Sequence, residues 1–167
     1  MNIQEWVDTM LVYQFVATGD IWCKNTLYTS WDSIVDIQNN TVSGHWSPLM
    51  YDFDIAFGVD NPNIDVNAAK AYTYCPWLRP LYTVLNSRMQ ERYRELRNEK
   101  VFDYNNIRNL INTRTMQIGT DAYNRDVERW QYPSIITDNP PESVSRIMTL
   151  IQGRITYLDG LFNYSQN

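Results

Sequence analysis

The chain has 167 residues, 44% hydrophobic and 20% charged. That length and balance suit one domain with its own core and exclude a disordered tail. A formal net charge of -5 argues against a general attraction to nucleic acid or anionic lipid, and no apolar run is long enough to span a membrane.

Only three lysines are present, Lys24, Lys70 and Lys100, and the single histidine, His45, excludes a His-rich metal centre or a two-histidine relay. Cys23 and Cys75 show neither metal spacing nor a CxxC pairing, so two thiols are expected, with a disulfide as the alternative. Met1–Glu5 carries no basic or apolar leader pattern. Twelve Tyr and six Trp exceed what a small core needs and suggest a partner interface.

In chain order, residues 2–18 read as an amphipathic helix: Ile3, Trp6, Val7, Met10, Leu11, Gln14 and Phe15 follow i, i+3, i+4 spacing, with Gly19 as the stop. A loop, Asp20 to Asn25, follows. Residues 26–31 are β-branched and aromatic and read as a strand. Asp36–Gly44 is turn-rich, and a second strand is expected from His45 to Phe57, closing an antiparallel hairpin. Pro48 argues for an edge or a bulge. On that strand Asp52 and Asp54 would share one face, with Phe53, Ile55 and Phe57 on the other.

Residues 58–75 form a long connection, a feature that is often functional. A helix is expected over 77–98, with Leu78, Leu81, Leu85, Met89 and Leu96 buried. Another starts near Asp103 with Ile107, Leu110, Ile111 and Ile118, and continues past a break at Gly119 to Trp130. The last begins at Asn139-Pro140-Pro141-Glu142, a capping pattern, and carries Val144, Ile147, Leu150, Ile151, Ile155, Leu158 and Leu161. The fold class is α+β, mostly helical, with one β-hairpin.

Two constellations carry chemistry. Asp20-Ile21-Trp22-Cys23-Lys24-Asn25 places an Asp five residues before an Asn in one loop, as phosphoryl-transfer loops do: the Asp orients the attacking hydroxyl and takes its proton, and the Asn oxygen reaches a Mg2+ on the phosphates. The plain alternative is that Asp20 caps a turn and Asn25 starts a strand. Met50 to Gly58 then holds Asp52 and Asp54. Two side-by-side acids repel, and a divalent cation removes that cost; a solvated hairpin face is the alternative. Helix, loop, hairpin, acidic segment, long loop and helices is also the element order of a kinase C-lobe.

With these residues the chain resembles the CotH family of atypical, spore-coat-type protein kinases. The resemblance rests on Gly19-Asp20 and Asn25-Thr26-Leu27-Tyr28, and most specifically on the block from His45-Trp46-Ser47-Pro48 through Tyr51-Asp52-Phe53-Asp54 to Phe57-Gly58. Arg92-Tyr93-Arg94-Glu95-Leu96-Arg97, Arg129-Trp130 and Ile151–Asp159 are similar to the family's helical region. The resemblance implies ATP and Mg2+ as cofactors, Asp20 as the catalytic aspartate, Asn25 as a metal-loop residue, Asp52 as the principal Mg2+ ligand and Asp54 as a second acid. The acceptor would be Ser or Thr of a coat or surface protein.

Lys24 would touch the transferring phosphate or else be a solvated loop lysine; Asp60 and Asp65 read as surface acids. Residues 1–167 would form a single C-lobe-like domain. The N-lobe's glycine-rich cover and its lysine have no counterpart before Asp20. The chain is then a fragment of a longer protein, or takes its N-lobe from another chain, or is a catalytically inactive structural or assembly protein of a coat or particle. A small-molecule kinase shares the loop logic, but the Phe57-Gly58 block argues against it.

Overall fold

The computed structural model describes residues 2–17, 25–30, 32–53, 56–58, 78–130 and 140–165. The first helix, α1, runs Ile3–Val16; Asn2 caps it, its Oδ1 accepting from the Glu5 N–H at 3.5 Å. The expected stripe is buried from Trp6 onward, yet so are Thr9, Tyr13 and Val16, so α1 is enclosed rather than amphipathic. Beyond its exposed first residues only Asp8 and Val12 are half-buried, and a helix covered on nearly every side belongs in an interior. It stops earlier than expected. Ala17 takes the left-handed conformation at φ 54 and returns its N–H to the Tyr13 carbonyl; Gly19 lies outside the described residues.

Four strands follow among the described residues. β1 (Thr26–Ser30) pairs antiparallel with β4 (Trp46–Met50), with Leu27 opposite Leu49 and Tyr28 opposite Pro48. Pro48 sits in a two-stranded ribbon, where a missing N–H is tolerated. The segment expected as turn contains a nested hairpin, β2 (Ile34–Asp36) with β3 (Thr41–Ser43). Asp36 accepts from the Gln38 and Asn39 N–H groups and the Asn39 side chain at its tip, an Asx-type turn that holds its carboxyl below the usual range. Gly44, at φ 138, leads into β4; a Cβ there would lie 2.8 Å from the Ser33 Cα, so this position is confined to glycine.

The second strand is shorter than expected. It ends at Met50, Asp52 is left-handed at φ 59, and Ala56–Gly58 forms a 3-10 turn. The strand alternation proposed for Asp52 and Asp54 is therefore broken at Asp52. Asp is among the few residues that accept this conformation at low cost.

Among the described residues the remaining helices are α2 (Leu78–Asn98), α3 (Tyr104–Ile118), α4 (Thr120–Trp130) and α5 (Pro140–Leu161). Leu78, Leu85, Met89 and Leu96 of α2 are buried as expected, with Tyr93 beside them. Asp103 caps α3 by accepting from the Asn106 N–H at 2.9 Å. Gly119, at φ 74, separates α3 from α4. On α3 Tyr104, Ile107 and Ile111 pack against the core; Leu110 and Ile118 are exposed. On α5 Leu150, Ile151, Ile155 and Leu158 are buried, and Val144, Ile147 and Leu161 pack partly against the core. Asn139 and residues 59–75 lie outside the described residues.

α1 is the shared surface of this assembly: α2, α5 and β4 all pack on it. Each of its fully buried large side chains contributes roughly 1.5–3 kcal/mol of transfer free energy. Trp6 ties the ribbon down, stacking on Tyr28 at 5.8 Å and donating its indole N–H to the Trp46 carbonyl at 3.1 Å.

α2 and α5 are joined by a polar knot. Arg97 grips Asp159 through Nε at 2.9 Å and Nη2 at 3.1 Å, and the Tyr93 hydroxyl donates to the same carboxylate at 2.8 Å. Burial, then this carboxylate, push the Tyr93 phenol well above its usual range. Truncating one member of such a cluster leaves the others enclosed without a partner. Asp159→Ala should cost about 3 kcal/mol, read as a fall in Tm of about 6–12 °C, while joint replacement of Arg97 and Asp159 by Met and Leu should recover part of it.

Candidate functional site

The ribbon decides which residues meet. β1 and β4 are in register from Thr26 opposite Met50 to Ser30 opposite Trp46. Asn25, immediately before β1, and Asp52, two residues after β4, therefore return to the same end. The Asn25 Nδ2 donates to the Asp52 backbone carbonyl at 3.4 Å. That bond turns the amide N–H2 of Asn25 toward the Asp52 main chain. Its Oδ1 has no hydrogen-bond partner among the described residues. Asn25 is half-buried and Asp52 exposed.

The residues after Asp52 are anchored on the last turns of α1. Phe53 packs on Tyr13 at 6.2 Å between ring centroids, and Phe57 meets Phe15 edge-on at 5.3 Å. Between them Ala56 is buried and donates its N–H to the Phe53 carbonyl at 3.0 Å. Phe53 and Phe57 thus face the core as expected, although a bent segment rather than a strand brings them there. Aromatic pairs of this kind contribute about 0.5–1.5 kcal/mol beyond their buried area.

The base of this anchor is held from the other side of the molecule. Arg154 of α5 is buried, donates through Nη2 to the Gln14 carbonyl in the last turn of α1, and lies over the Tyr157 ring at 4.7 Å. The Gln14 side chain is also buried, and neither its oxygen nor its nitrogen has a hydrogen-bond partner among the described residues. The spacing of α5 puts Arg154 on the apolar stripe itself, three residues from Ile151 and four from Leu158. A charge at such a position still reads as reaching out to water, and the carbonyl that holds it inside comes from another helix. A buried arginine is a tertiary fact.

A second polar feature lies at the far end of the ribbon. Asp32 accepts from the His45 N–H at 2.7 Å, from the His45 ring at 2.5 Å between Nδ1 and Oδ2, and from the Ser30 hydroxyl at 3.4 Å. It closes the nested hairpin onto the start of β4. The one histidine, which limits the possible chemistry in the sequence, serves here as a partner to a carboxylate.

Of the expected site residues, Asn25 and Asp52 are brought together. Asp20, Lys24 and Asp54 lie outside the described residues, as do Cys23, Cys75, Asp60 and Asp65. Among the described residues no group of three or more His, Cys, Asp or Glu side chains could hold a metal ion, and no helix is long and apolar enough to cross a membrane. Asn25 and Asp52 supply an amide oxygen and a carboxylate, hard donors of the class Mg2+ accepts when phosphate oxygens and water complete its shell.

The family model described as CotH kinase protein matches residues 1–158. No curated protein and no solved structure matches the chain.

The hydrogen bond from the His45 backbone, then that from its side chain, lower the Asp32 pKa from 3.8 to about 2. A depressed carboxyl adds stability that is complete above its unfolded value and is lost as pH falls through the folded one. The closure of the nested hairpin should therefore hold down to pH 3.8 and loosen towards pH 2. The His45 amide resonance should report that transition in the wild type and lose it in Asp32→Asn.

Proposed function

The chain belongs to the CotH kinase family, and from that premise we propose that it transfers a phosphoryl group from ATP to Ser or Thr hydroxyls of a protein, with Mg2+. The observation that carries this reading is the return of Asp52 to Asn25 at one end of the ribbon, joined by the 3.4 Å hydrogen bond. Two residues 27 positions apart, singled out for metal binding by type and order, meet in space.

Asn25, through its Oδ1, and Asp52, through its carboxylate, would hold the ion, with Asp54 as a further acid. Bound Mg2+ would neutralise charge on the phosphate chain. Asp20 follows the end of α1 by four residues and acts as the base that orients the acceptor hydroxyl and takes its proton. Lys24 adds a positive charge next to Asn25 for the transferring phosphate. Phe53 and Phe57 hold the acidic segment against Tyr13 and Phe15, so Asp52 keeps its place without its own carboxylate being buried. That kind of positioning supplies much of the rate in phosphoryl transfer.

A second reading has its own observation. The nested hairpin exposes Ile34, Val35, Ile37 and Val42, Ile37 at 86% of its surface. Apolar side chains gathered on one ribbon are the material of a contact surface. They fit an assembly role, in which the chain is a scaffold of a coat or particle and a protein partner covers the hairpin.

Two measurements separate the readings. MgATP at about 100 times its Kd should raise Tm by about 5–10 °C, and Asp52→Asn should abolish the rise. Phosphotransfer to a Ser/Thr protein should fall at least about 100-fold in Asp20→Ala. No shift at millimolar MgATP, with Asp52→Asn indistinguishable from the wild type, would leave the assembly role.

A further inference from the structure

The cleft between the C-terminal ends of α2 and α5 has a volume of about 360 Å³ and is lined by Arg94, Asn98, Lys100, Asn163 and Tyr164. That is the lower end of the range for small-ligand sites. We propose that it binds a phosphate monoester group. The cleft shares no residue with Asn25 and Asp52, so the inference stands apart from the kinase reading.

The first support is the supply of donors. The Arg94 guanidinium, the Lys100 ammonium and the Asn163 carboxamide have no partner among the described residues. Asn98 accepts from the Tyr164 hydroxyl at 3.2 Å through Oδ1, which leaves its N–H2 available. The Ser165 hydroxyl, also on the lining, is unpartnered. Two further charged residues line the cleft, Arg97 and the acid Asp103, and the carboxylates here are already engaged. Asp159 is gripped by Arg97 and Tyr93, and the Asp103 carboxylate caps α3.

The second support is the backbone. Both helices end in the same motif: Val101 returns its N–H to the Leu96 carbonyl and Tyr164 to the Asp159 carbonyl, each at 2.8 Å, while Lys100 and Asn163 bond to Arg97 and Gly160. These bonds occupy carbonyls at the helix ends, whose partial negative charge is about half a unit each and would otherwise oppose an anion. The motif places Lys100 at φ 60 and Asn163 at φ 52, where glycine is the ordinary occupant. Asn adopts that conformation readily; lysine does not. A strained lysine, one of three in the chain, beside a cleft of idle donors points to a ligand for its ammonium.

The third support is stoichiometry. A guanidinium fork, an ammonium and two carboxamides offer more N–H groups than a carboxylate can accept. The three terminal oxygens of a phosphate monoester match them and favour the charged donors. In a chain of net charge -5, this local pair of free cations makes an anion site without a general attraction for polyanions.

The test is an NMR titration of the full chain with inorganic phosphate, without Mg2+ or ATP. Saturable shifts are expected at Lys100, Asn163 and Tyr164, with a Kd of about 1 mM. Lys100→Gly should weaken binding at least about fivefold with Tm unchanged or raised, since glycine suits the conformation. Asp52→Asn should bind as the wild type does.

A phosphoserine peptide at least about tenfold tighter than inorganic phosphate would assign the group to a protein side chain; equal affinity would assign it to a small phosphate ester. Absence of saturable shifts up to about 20 mM, an equal response to acetate, or undiminished binding in a joint Arg94→Gln and Lys100→Gly variant would overturn the site.

Discussion

Past its first turn α1 gives almost no face to water. From Trp6 to Val16 every residue is buried or half-buried, and this constraint shapes the rest. Its backbone polar groups are satisfied within the helix, but its flanks must be covered, and α2, α5 and β4 do so. Burial is extensive enough to carry an orphaned group. The Gln14 carboxamide sits in the core with no hydrogen bond to any described residue, a cost of about 1–3 kcal/mol offset by apolar neighbours such as Met10 and Leu11, both almost wholly enclosed.

That enclosure gives the candidate site its foundation. The last turns of α1 carry Tyr13 and Phe15, on which Phe53 and Phe57 rest. The same turn is gripped through Arg154, and Phe15 reaches on to Phe102 at 5.0 Å, which stacks on Tyr93 at 5.7 Å. An aromatic chain thus runs from the segment beside Asp52 to the Arg97–Asp159 knot. Rigid packing of this kind lets an exposed carboxylate keep a defined position while it stays solvated.

Left-handed residues mark the places where the chain changes direction. Ala17 ends α1, Asp52 turns out of the ribbon, Phe57 bends the segment that follows, and Lys100 and Asn163 close α2 and α5. None is glycine, so none is announced by the usual residue, and each conformation is imposed by what surrounds it. This explains the misjudged boundaries. Gly19 is the obvious stop for α1, yet the helix closes at Ala17; a strand is expected from His45 to Phe57, yet pairing ends at Met50.

Where a signal is local, sequence suffices. The spacing of Leu78, Leu85, Met89 and Leu96 contains the buried face of α2, Asp103 carries the cap of α3, and Gly119 marks its break. Apolar residues at 53 and 57 read as core, and they are. Asn25 and Asp52, singled out by type and order, do come together, and the block around Asp52 carries the family resemblance. Each of these depends on periodicity or on one residue's conformational preference, which a few neighbouring positions express.

Tertiary structure alone decided that α1 is enclosed rather than half-exposed, because a stripe in sequence cannot say how many partners an element will have. It decided that Leu110 and Ile118 face outward, that His45 answers Asp32 across 13 residues, and that Arg154 lies inside against the carbonyl of Gln14. It also set Asn25 against the main chain of Asp52 instead of placing Asp52 in an alternating strand. All of these join residues distant in sequence, and their free energy exists only once the intervening chain has folded and brought the partners within contact.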